Sequence, residues 1–578
     1  MPARNGAAHV VTTKRIYKGR TYVTHLLRRS YRDGGAVKNE TLGNLSHLPD
    51  HLIEIIRRSL KGETFVAVGE AFEITASRPH GAVEAVASAM QALGMGTLLG
   101  TKASRERDLV LAMIAARIVS PNTKLATTRQ WHSTTLAQDL GVAGADEDDL
   151  YGAMDWLLAH QDSIQKKLAD RHLEEGGLVL YDLSSSYFEG LTCPLAKRGY
   201  SRDGKKGMLQ VNYGLLTDAR GCPVAVSVYE GNVADSRTFL PEVERLRTNF
   251  GIEHMVMVGD RGMISSKAIE DLRDTSGVDW ITALKGTSVR GLVEQGQLQL
   301  GLFDERNLVE IESPDYPGER LVACRNPELA KLRAHKREDL LACTERSLER
   351  VRDRVRAGRL VGRDKIGVAV GRVINQYKVA KHFDLIIEDG TLRWARNAES
   401  IRAESALDGI YIIRTSVPSE RMDGPECVRS YKALANVERA FRSLKTVDLK
   451  VRPIHHRTAD RVRAHILLCM LAYYVEWHMR EAWRELLFAD TEQDAKAVRD
   501  PVAPAKRSEK VLDKVASRTL DDGSPVYSFQ TLLDDLSSIV RNTCRTPNAA
   551  NDEPTFEIVT NASAAQRRAL DLIAQIHL

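Results

Sequence analysis

The sequence predicts a multidomain α/β protein, and three observations support this fold class. The chain has 578 residues, whereas single hydrophobic cores usually stop growing at about 250–300 residues. Hydrophobic residues make up 43% and charged residues 28% of the chain, which is typical of a folded protein. The pattern is mainly helical before Gly177 and changes to strands after it. We therefore expect a helical N-terminal region followed by a sheet-containing core.

Residues 1–78 form a basic N-terminal region in which we predict a β-hairpin. Two strand-like runs, TYVTHLLRRSY and AVKNETL, are joined by the turn RDGG. Residues 1–61 hold 12 Lys and Arg against 4 Asp and Glu, and Arg28 and Arg29 lie among tyrosines. Basic side chains can neutralise phosphates, so the region is a candidate DNA contact. A solvated edge hairpin explains the same pattern equally well.

Residues 79–175 are predicted to be a helical region that binds DNA. The apolar residues recur at helical spacing, and breakers such as Pro121 and Gly141 separate the segments. The piece TKLATTRQWHSTTLAQDLG could form a helix-turn-helix. Ordinary helix packing produces this pattern more often, so both interpretations stay open.

Residues 176–285 are predicted to be the first part of a catalytic core, with the order β-β-β-α-β-α-β. The apolar run GLVLYD ends in Asp182, and the strand in HMVMVGDRGM ends in Gly259-Asp260. A carboxylate at the end of a buried strand is costly unless it is paired, hydrogen-bonded or bound to a metal. Two such aspartates on neighbouring strands indicate a shared site.

Residues 286–405 are predicted to be an inserted domain of mixed, β-rich character. We expect strands in LVEIES, ERLVACR, KIGVAVGRVI and HFDLIIEDGTLRW, and a long charged helix in ELAKLRAHKREDLLACTERSLERVRDRV. Residues 326–365 hold 12 Lys and Arg against 7 Asp and Glu. The helix could follow a nucleic-acid backbone, although a solvated or interdomain helix is the simpler interpretation.

Residues 406–485 are predicted to complete the core with a strand, DGIYIIRTS, and the helix YKALANVERAFRSLK. In a regular helix Tyr431, Glu438 and Lys445 would lie along one line, because seven residues make nearly two turns. A solvated glutamate explains this segment when it is taken alone. With Asp182 and Asp260 upstream, Glu438 becomes the candidate third carboxylate.

Residues 486–578 are predicted to be a C-terminal region. It opens with the linker AKAVRDPVAPAKRSEK and contains helices in SFQTLLDDLSSIVRNTC and AAQRRALDLIAQI around a short strand, TFEIVT.

Cysteine spacing and hydropathy restrict the class of protein further. The seven cysteines include no CxxC pair, so neither a disulfide framework nor a zinc site is indicated. The N-terminus lacks the apolar run of a signal peptide, and the longest apolar run, Ile466–Val475, is too short to span a bilayer. We therefore expect a protein of a reducing cytoplasm with no membrane partner. No P-loop, GxSxG elbow or dinucleotide fingerprint is present.

Three carboxylates, two on strands and one on a helix, can hold two divalent cations about 3.5–4 Å apart. Mg²⁺ suits such a site, with Mn²⁺ as a substitute, because it takes oxygen ligands and keeps waters for substrate phosphates. Histidines 455, 456 and 465 have no cysteine or carboxylate at matching ligand spacing, so helix packing and phosphate contact explain them better than a metal does.

These residues resemble a known family. Asp182, the loop EGN-x-x-D-x-x-T that starts at Glu230, Asp260 and the Tyr431–Glu438–Lys445 segment are together similar to bacterial insertion-sequence DDE transposases with a Tyr-Arg-Glu-Lys signature. The resemblance implies an RNase H-like core interrupted by the insertion domain. It also implies that the protein binds the terminal inverted repeats of its element and catalyses metal-dependent DNA strand cleavage and strand transfer.

The resemblance assigns roles residue by residue. Asp182, Asp260 and Glu438 are implied to be the catalytic metal ligands, whereas Tyr431 and Lys445 would position DNA phosphate. The arginine of the signature is replaced by Leu434 here, and Arg439 or Arg442 could supply that contact instead. The implied partners are double-stranded DNA, as element ends and target, and a second copy in a homodimer on DNA.

Two alternatives remain open at this point. An RNase H-like nuclease would hydrolyse DNA without joining it, and product analysis would separate the two activities. A domesticated DNA-binding protein would bind without cleavage, although the intact acidic triad argues against it.

Overall fold

The computed structural model describes residues 7–65, 71–299, 301, 303–304, 307–492, 499–504, 506–546 and 554–577. The chain divides into two compact units, the first made of residues 1–77 and 541–560 and the second of residues 78–540 and 561–578. Part of the predicted linker, residues 495–498 and 505, lies outside the described residues.

The first unit contains two antiparallel sheets. One has the order β1-β2-β3 and carries helix α1, and the other has the order β16-β15-β4. The predicted hairpin is confirmed by the pairing of β2 with β3, but a third strand, β1, was not predicted. The elements are β1 (Ala8–Tyr17), β2 (Arg20–Asp33), β3 (Ala36–Asn44), α1 (Asp50–Ser59), β4 (Glu73–Pro79), β15 (Val540–Arg545) and β16 (Phe556–Val559).

The second unit begins with a helical layer, as the periodicity predicts. The candidate helix-turn-helix segment forms only a seven-residue helix, one 3₁₀ turn and a four-residue helix. The layer consists of α2 (Gly81–Ala92), α3 (Met95–Leu99), α4 (Arg105–Val119), α5 (Lys124–Gln130), α6 (Leu136–Asp139), α7 (Glu147–Ala159) and α8 (Gln161–His172).

The predicted order β-β-β-α-β-α-β is confirmed after the helical layer. The elements are β5 (Leu178–Phe188), β6 (Leu209–Thr217), β7 (Pro223–Glu230), α9 (Phe239–Thr248), β8 (Met255–Val258), α10 (Ser266–Arg273) and β9 (Val278–Ala283). These strands lie in the order β7-β6-β5-β8-β9. The first three are antiparallel, and β8 and β9 run parallel to β5. This mixed sheet is the α/β core that the sequence predicted.

The main sheet extends into the segment that we predicted to be an insertion. After α11 (Gly286–Glu294), strands β10 (Leu308–Ile311) and β11 (Arg320–Arg325) join it, and β14 (Ile410–Thr415) links them to β9. The sheet therefore has eight strands, β10-β11-β14-β9-β8-β5-β6-β7.

A separate small core forms only beyond β11. The long charged helix is confirmed as α12 (Pro327–Arg356), and the hairpin is confirmed as β12 (Phe383–Glu388) and β13 (Thr391–Arg396). The strand predicted in KIGVAVGRVI is wrong, because this segment is helix α13 (Arg363–Ile374). Its buried residues Ile366, Val370 and Ile374 recur every four positions, which is helical spacing. Helix α14 (Ala398–Ser405) precedes β14.

The segment with the candidate glutamate is not one regular helix, which corrects the prediction. Helix α15 (Gly424–Lys432) ends before Ala433, α16 (Leu434–Arg442) follows, and Ser443–Val447 forms a π-helical turn. Helix α17 (Ala459–Ala482) is buried along most of its length and packs against α4, α7 and β7. It joins the helical layer to the sheet.

The C-terminal region contains α18 (Glu509–Ser517), α19 (Phe529–Leu536) and α20 (Ala564–Ala574). The predicted helix over 528–544 is wrong in its second half, because α19 ends at Leu536 and β15 begins at Val540. Within the described part of the chain, no single helix is long and apolar enough to cross a bilayer. One sharply bent pair of segments, Arg105–Val119 and Lys124–Ser133, is long and apolar enough for a membrane span by length and composition alone.

Candidate active site

The two candidate aspartates lie at the same level on neighbouring parallel strands. In the ladder between β5 and β8, Leu180 is opposite Val258, so Asp182 and Asp260 each lie two residues further along. Strand β8 ends at Val258, whereas β5 continues to Phe188. Asp182 is therefore in the middle of its strand rather than at its end, which corrects the prediction. Beyond Leu180, β5 has no parallel strand paired with it on the β8 side among the described residues. This leaves space beside Asp182 for a ligand.

Helix α16 brings the third carboxylate to the same strand. It packs against β5 through a buried face that includes Val437 and Phe441. Glu438 follows Val437 directly and is exposed, as is Asp260, whereas Asp182 is half-buried. The register of the strands and the packing of α16 thus gather three carboxylates that are far apart in the sequence.

The pKa of Asp182 reflects this arrangement. The pKa is raised to about 7, mainly by burial and to a smaller extent by the negative charges of Asp260 and Glu438, while the backbone N–H of Leu183 and the charge of Arg202 act in the opposite direction. A set of oxygen ligands with concentrated negative charge suits a hard divalent cation. The donor chemistry of these three side chains therefore suits a divalent metal ion.

Tyr431 and Lys445 both bind carboxylates in this structure. The hydroxyl of Tyr431 donates a hydrogen bond to Asp260 Oδ1 at 3.3 Å. Burial, followed by the charge of Asp260, raises the pKa of Tyr431. Lys445 is buried in the π-helical turn, and its Nζ donates to Asp203 Oδ1 at 3.1 Å. Burial lowers the pKa of Lys445, although Asp203 opposes this effect.

Asp203 was missed by the sequence analysis. Its side chain is 1% exposed and forms ion pairs with both Lys445 and Arg452. Its Oδ2 accepts a hydrogen bond from the backbone N–H of Tyr187, on β5, at 3.0 Å. Asp203 therefore connects the π-helical turn to the strand that carries Asp182. Its position in the polar loop between β5 and β6 carries no periodic signal.

The EGN-x-x-D-x-x-T loop is held in place by a hydrogen-bonded ion pair between its Asp235 and Arg202. The guanidinium of Arg202 donates to both carboxylate oxygens of Asp235, each at 2.6 Å. Gly231 in the same loop allows close backbone approach, because a Cβ there would lie 1.9 Å from the carbonyl oxygen of Gln210. The loop is thereby fixed beside an arginine that acts electrostatically on Asp182.

The other predicted DNA-binding residues lie in different places. Leu434 is half-buried and packs against the main core, whereas Arg439 and Arg442 are exposed on α16. Arg28 and Arg29 are half-buried on β2, the central strand of its sheet. Their contacts with DNA stay predictions.

A second cluster of possible ligand atoms lies on other elements. Of the side chains that the structure describes, only His172, Cys222 and His478 bring three such atoms within 4.8 Å of one another. The three carboxylates of the candidate active site are not that close together here. Cys222 Sγ and His478 Nε2 are 3.8 Å apart, and burial lowers the pKa of both histidines. These residues are far apart in the sequence, so the short ligand spacings that indicate a metal site did not predict the cluster.

Comparison with known proteins identifies the class. The profile of the transposase DDE domain matches residues 187–475, half of the chain, so the protein belongs to the DDE transposases. This match includes Asp260 and Glu438 and begins five residues after Asp182. The profile of the IS1634 family transposase N-terminal domain matches residues 10–68. The chain is thus a transposase of an insertion sequence, and DNA is its substrate.

No curated protein matches the chain. Among solved structures, a cryo-EM structure of the piggyBac transposase synaptic complex with hairpin DNA is similar at 8% sequence identity, with a TM-score of 0.34. This match covers 78% of the present chain and 77% of the other.

Proposed function

We propose that this transposase cleaves DNA at the ends of its element and joins the freed 3′ hydroxyl to target DNA, with Asp182, Asp260 and Glu438 as the catalytic metal ligands. The observation that supports this site is the shared register of Asp182 and Asp260 on β5 and β8, with α16 packed beside them. We propose two Mg²⁺ ions, which Mn²⁺ can replace. Bound there, they would lower the pKa of an attacking water and neutralise charge on the leaving oxygen.

The two steps balance in atoms and bonds. In cleavage, water adds across one phosphodiester bond and leaves a 3′ hydroxyl and a 5′ phosphate. In strand transfer, that 3′ hydroxyl attacks a target phosphodiester and displaces another 3′ oxygen, so the number of phosphodiester bonds is unchanged. Asp182, Asp260 and Glu438 hold the site, while Tyr431 orients Asp260 through its hydrogen bond.

We also propose where DNA is bound. The basic first unit and the helical layer would recognise the terminal inverted repeats, and Lys445, Arg439 and Arg442 would contact phosphates near the scissile bond. A homodimer would hold the two element ends, because each copy supplies one set of three carboxylates.

The test is cleavage and strand transfer on element-end DNA with Mg²⁺. We expect Asp182→Asn, Asp260→Asn and Glu438→Gln each to lower both rates by at least about 10³-fold, the order found when a member of a catalytic set is removed. DNA binding without metal should be retained. Exposed Asp271→Asn and Glu270→Gln on α10 are matched controls.

Full activity of any of the three variants would refute the assignment of that residue. Hydrolysed DNA without joined products from the wild type would favour a nuclease that does not transfer strands. Mn²⁺ binding, followed by electron paramagnetic resonance, should fall in the same three variants and not in the controls.

A further inference from the structure

A cavity of about 300 Å³ lies between the helical layer and the segment that connects the π-helical turn to α17. Its lining includes seven basic or imidazole side chains and no carboxylate among the described residues. They are Arg117, Lys124, Lys450, Arg452, His455, His456 and His465. Nothing in the proposed chemistry of the three carboxylates uses this cavity.

Lys124 is the most unusual of these residues. It is 5% exposed, and among the described residues its ammonium has neither a hydrogen-bond partner nor an ion pair. Burying an unpaired charge carries a large cost in free energy. Burial, followed by the charge of Arg117, lowers the pKa of Lys124 to about 7.

Arg117 makes the charge imbalance larger. Arg117 is 6% exposed. In the described structure its guanidinium makes a single hydrogen bond, a long one of 3.4 Å to the carbonyl oxygen of Leu449. No described carboxylate pairs with it. Arg117 and the protonated form of Lys124 therefore place positive charge in one cavity without an anion, although buried charges are ordinarily paired.

The remaining lining residues would support an anion. Burial lowers the pKa of His456 to about 3 and also lowers that of His465, so both rings are neutral hydrogen-bonding groups near pH 7. Lys450 is exposed and Arg452 half-exposed, so the rim of the cavity is basic as well.

Arg452 connects the cavity to the candidate active site. It pairs with Asp203, which also binds Lys445 in the π-helical turn. A DNA strand that passes the three carboxylates and Lys445 would thus lie near a second positively charged site. The two sites are connected because Lys445 and Arg452 share Asp203 as their partner.

We propose that this cavity binds a phosphate group of the DNA backbone, with Lys124 and Arg117 as its principal ligands. This inference rests on the proposed function, because DNA is the polyanion on which the protein acts. A phosphate supplies the missing negative charge and several acceptor oxygens for the two cations. The contact would position the DNA without reading its sequence.

The first experiment tests the anion site with inorganic phosphate alone. Thermal unfolding is followed for the full-length protein in phosphate and in NaCl of equal ionic strength. We expect phosphate to raise the melting temperature of the wild type but not that of Lys124→Met or Arg117→Met. Without phosphate, Lys124→Met should be at least as stable as the wild type, since it removes an unpaired buried charge. Lys336→Met, on the exposed side of α12, is the matched control.

The second experiment tests DNA as the source of the phosphate. Binding to a duplex is measured by fluorescence anisotropy over a series of salt concentrations, without metal. For Lys124→Met we expect weaker binding to every sequence, and a slope of log K against log salt concentration that is shallower by about 1. Lys336→Met should retain the wild-type slope.

The possible results distinguish two claims: that the cavity binds an anion, and that this anion is a DNA phosphate. Equal effects of phosphate on wild type and both variants, or no effect on any of them, would overturn the anion site. A phosphate effect specific to the wild type with unchanged DNA slopes would overturn the assignment to DNA and indicate a free anion. Absence of DNA binding by every protein would refute the proposed function, while the melting temperatures would still decide whether the cavity binds an anion.

Discussion

At the scale of single residues, position along a strand or helix made part of the site predictable. Asp260 lies two residues beyond the end of a buried apolar strand, and the exposed Glu438 follows the buried Val437 on α16. Asp203 and Arg202 could not be predicted, because ion pairs between distant segments leave no periodic pattern. Asp182 was found but misplaced, because the strand was taken to end with the apolar run, whereas β5 continues through polar residues to Phe188.

The buried position of Asp203 predicts a stabilising role. Asp203→Ala would leave Lys445 and Arg452 without their shared partner, and breaking a buried ion pair from one side costs roughly 3–5 kcal/mol. Burial acts to raise the pKa of Asp203, but its hydrogen bonds and charge interactions with Arg452 and Lys445 lower the pKa overall. We therefore expect a lower free energy of unfolding in urea, measured by tryptophan fluorescence.

The control for Asp203 is an exposed pair. Asp170→Ala removes the partner of Lys166, 3.1 Å away on the surface of α8, and should cost less than about 1 kcal/mol. Similar losses in the two variants would contradict the stabilising role of Asp203.

At the scale of helices and strands, the errors arose where one pattern admits two structures. KIGVAVGRVI is rich in β-branched residues, which favours a strand, but its buried positions repeat every four residues and it packs as α13. In the candidate helix, apolar spacing did not reveal the break at Ala433 or the π-helical turn. Lys445 in this turn pairs with Asp203, which is distant in the sequence, so local spacing gives no signal of the contact.

Helix α17 should make stability depend on pH through His478, which is 9% exposed. Its pKa is lowered to about 3, mainly by burial and to a smaller extent by His172, Arg220 and Arg171. Between about pH 6.5 and 3 the unfolded state binds a proton that the folded state does not bind, so stability is lost as the pH falls. This group alone contributes a slope of about 1.4 kcal/mol per pH unit.

The variant His478→Gln should therefore lose less stability than the wild type between pH 6.5 and 5, measured by urea unfolding at each pH. His335→Gln, whose side chain is 81% exposed in the wild type, should follow the wild type. If the two variants show the same pH dependence, the predicted contribution of His478 is refuted.

At the scale of the whole molecule, the order of elements in the catalytic core was predictable because each segment has a clear local period. The strand β14 was also predicted to belong to the core. The full sheet was not predicted, because β10 and β11, which were assigned to the insertion, join it through long-range pairing that the sequence does not encode locally. The first unit was also unpredicted, since it combines strands from both ends of the chain.

The tip of the β1–β2 hairpin is a candidate DNA contact of the first unit. Lys18 and Gly19 form the turn with positive φ angles of 47° and 74°. Lys14, Lys18 and Arg20 are exposed, and no described carboxylate pairs with them. Replacing all three with Gln should weaken DNA binding without regard to sequence. If each contacts one phosphate, the salt slope should become shallower by about 3.

Lys38→Gln is the control for this charge removal, because Lys38 already pairs with Asp33 at 2.7 Å. Anisotropy titrations over several salt concentrations provide the measurement. An unchanged slope in the triple variant would exclude the hairpin tip from the DNA interface.

The second sheet of the first unit can form only late in translation, because its strands are far apart in the sequence. Thr75, on β4, donates a hydrogen bond to the carbonyl oxygen of Thr543, on β15, 468 residues later in the chain. At about 5–20 residues per second, the ribosome needs roughly 20–90 s to make the intervening segment. The sheet of β1, β2 and β3 can form early, whereas β4 must wait for its partner. A chain released before β15 is translated would keep the exposed edge of β4 available for pairing with other strands.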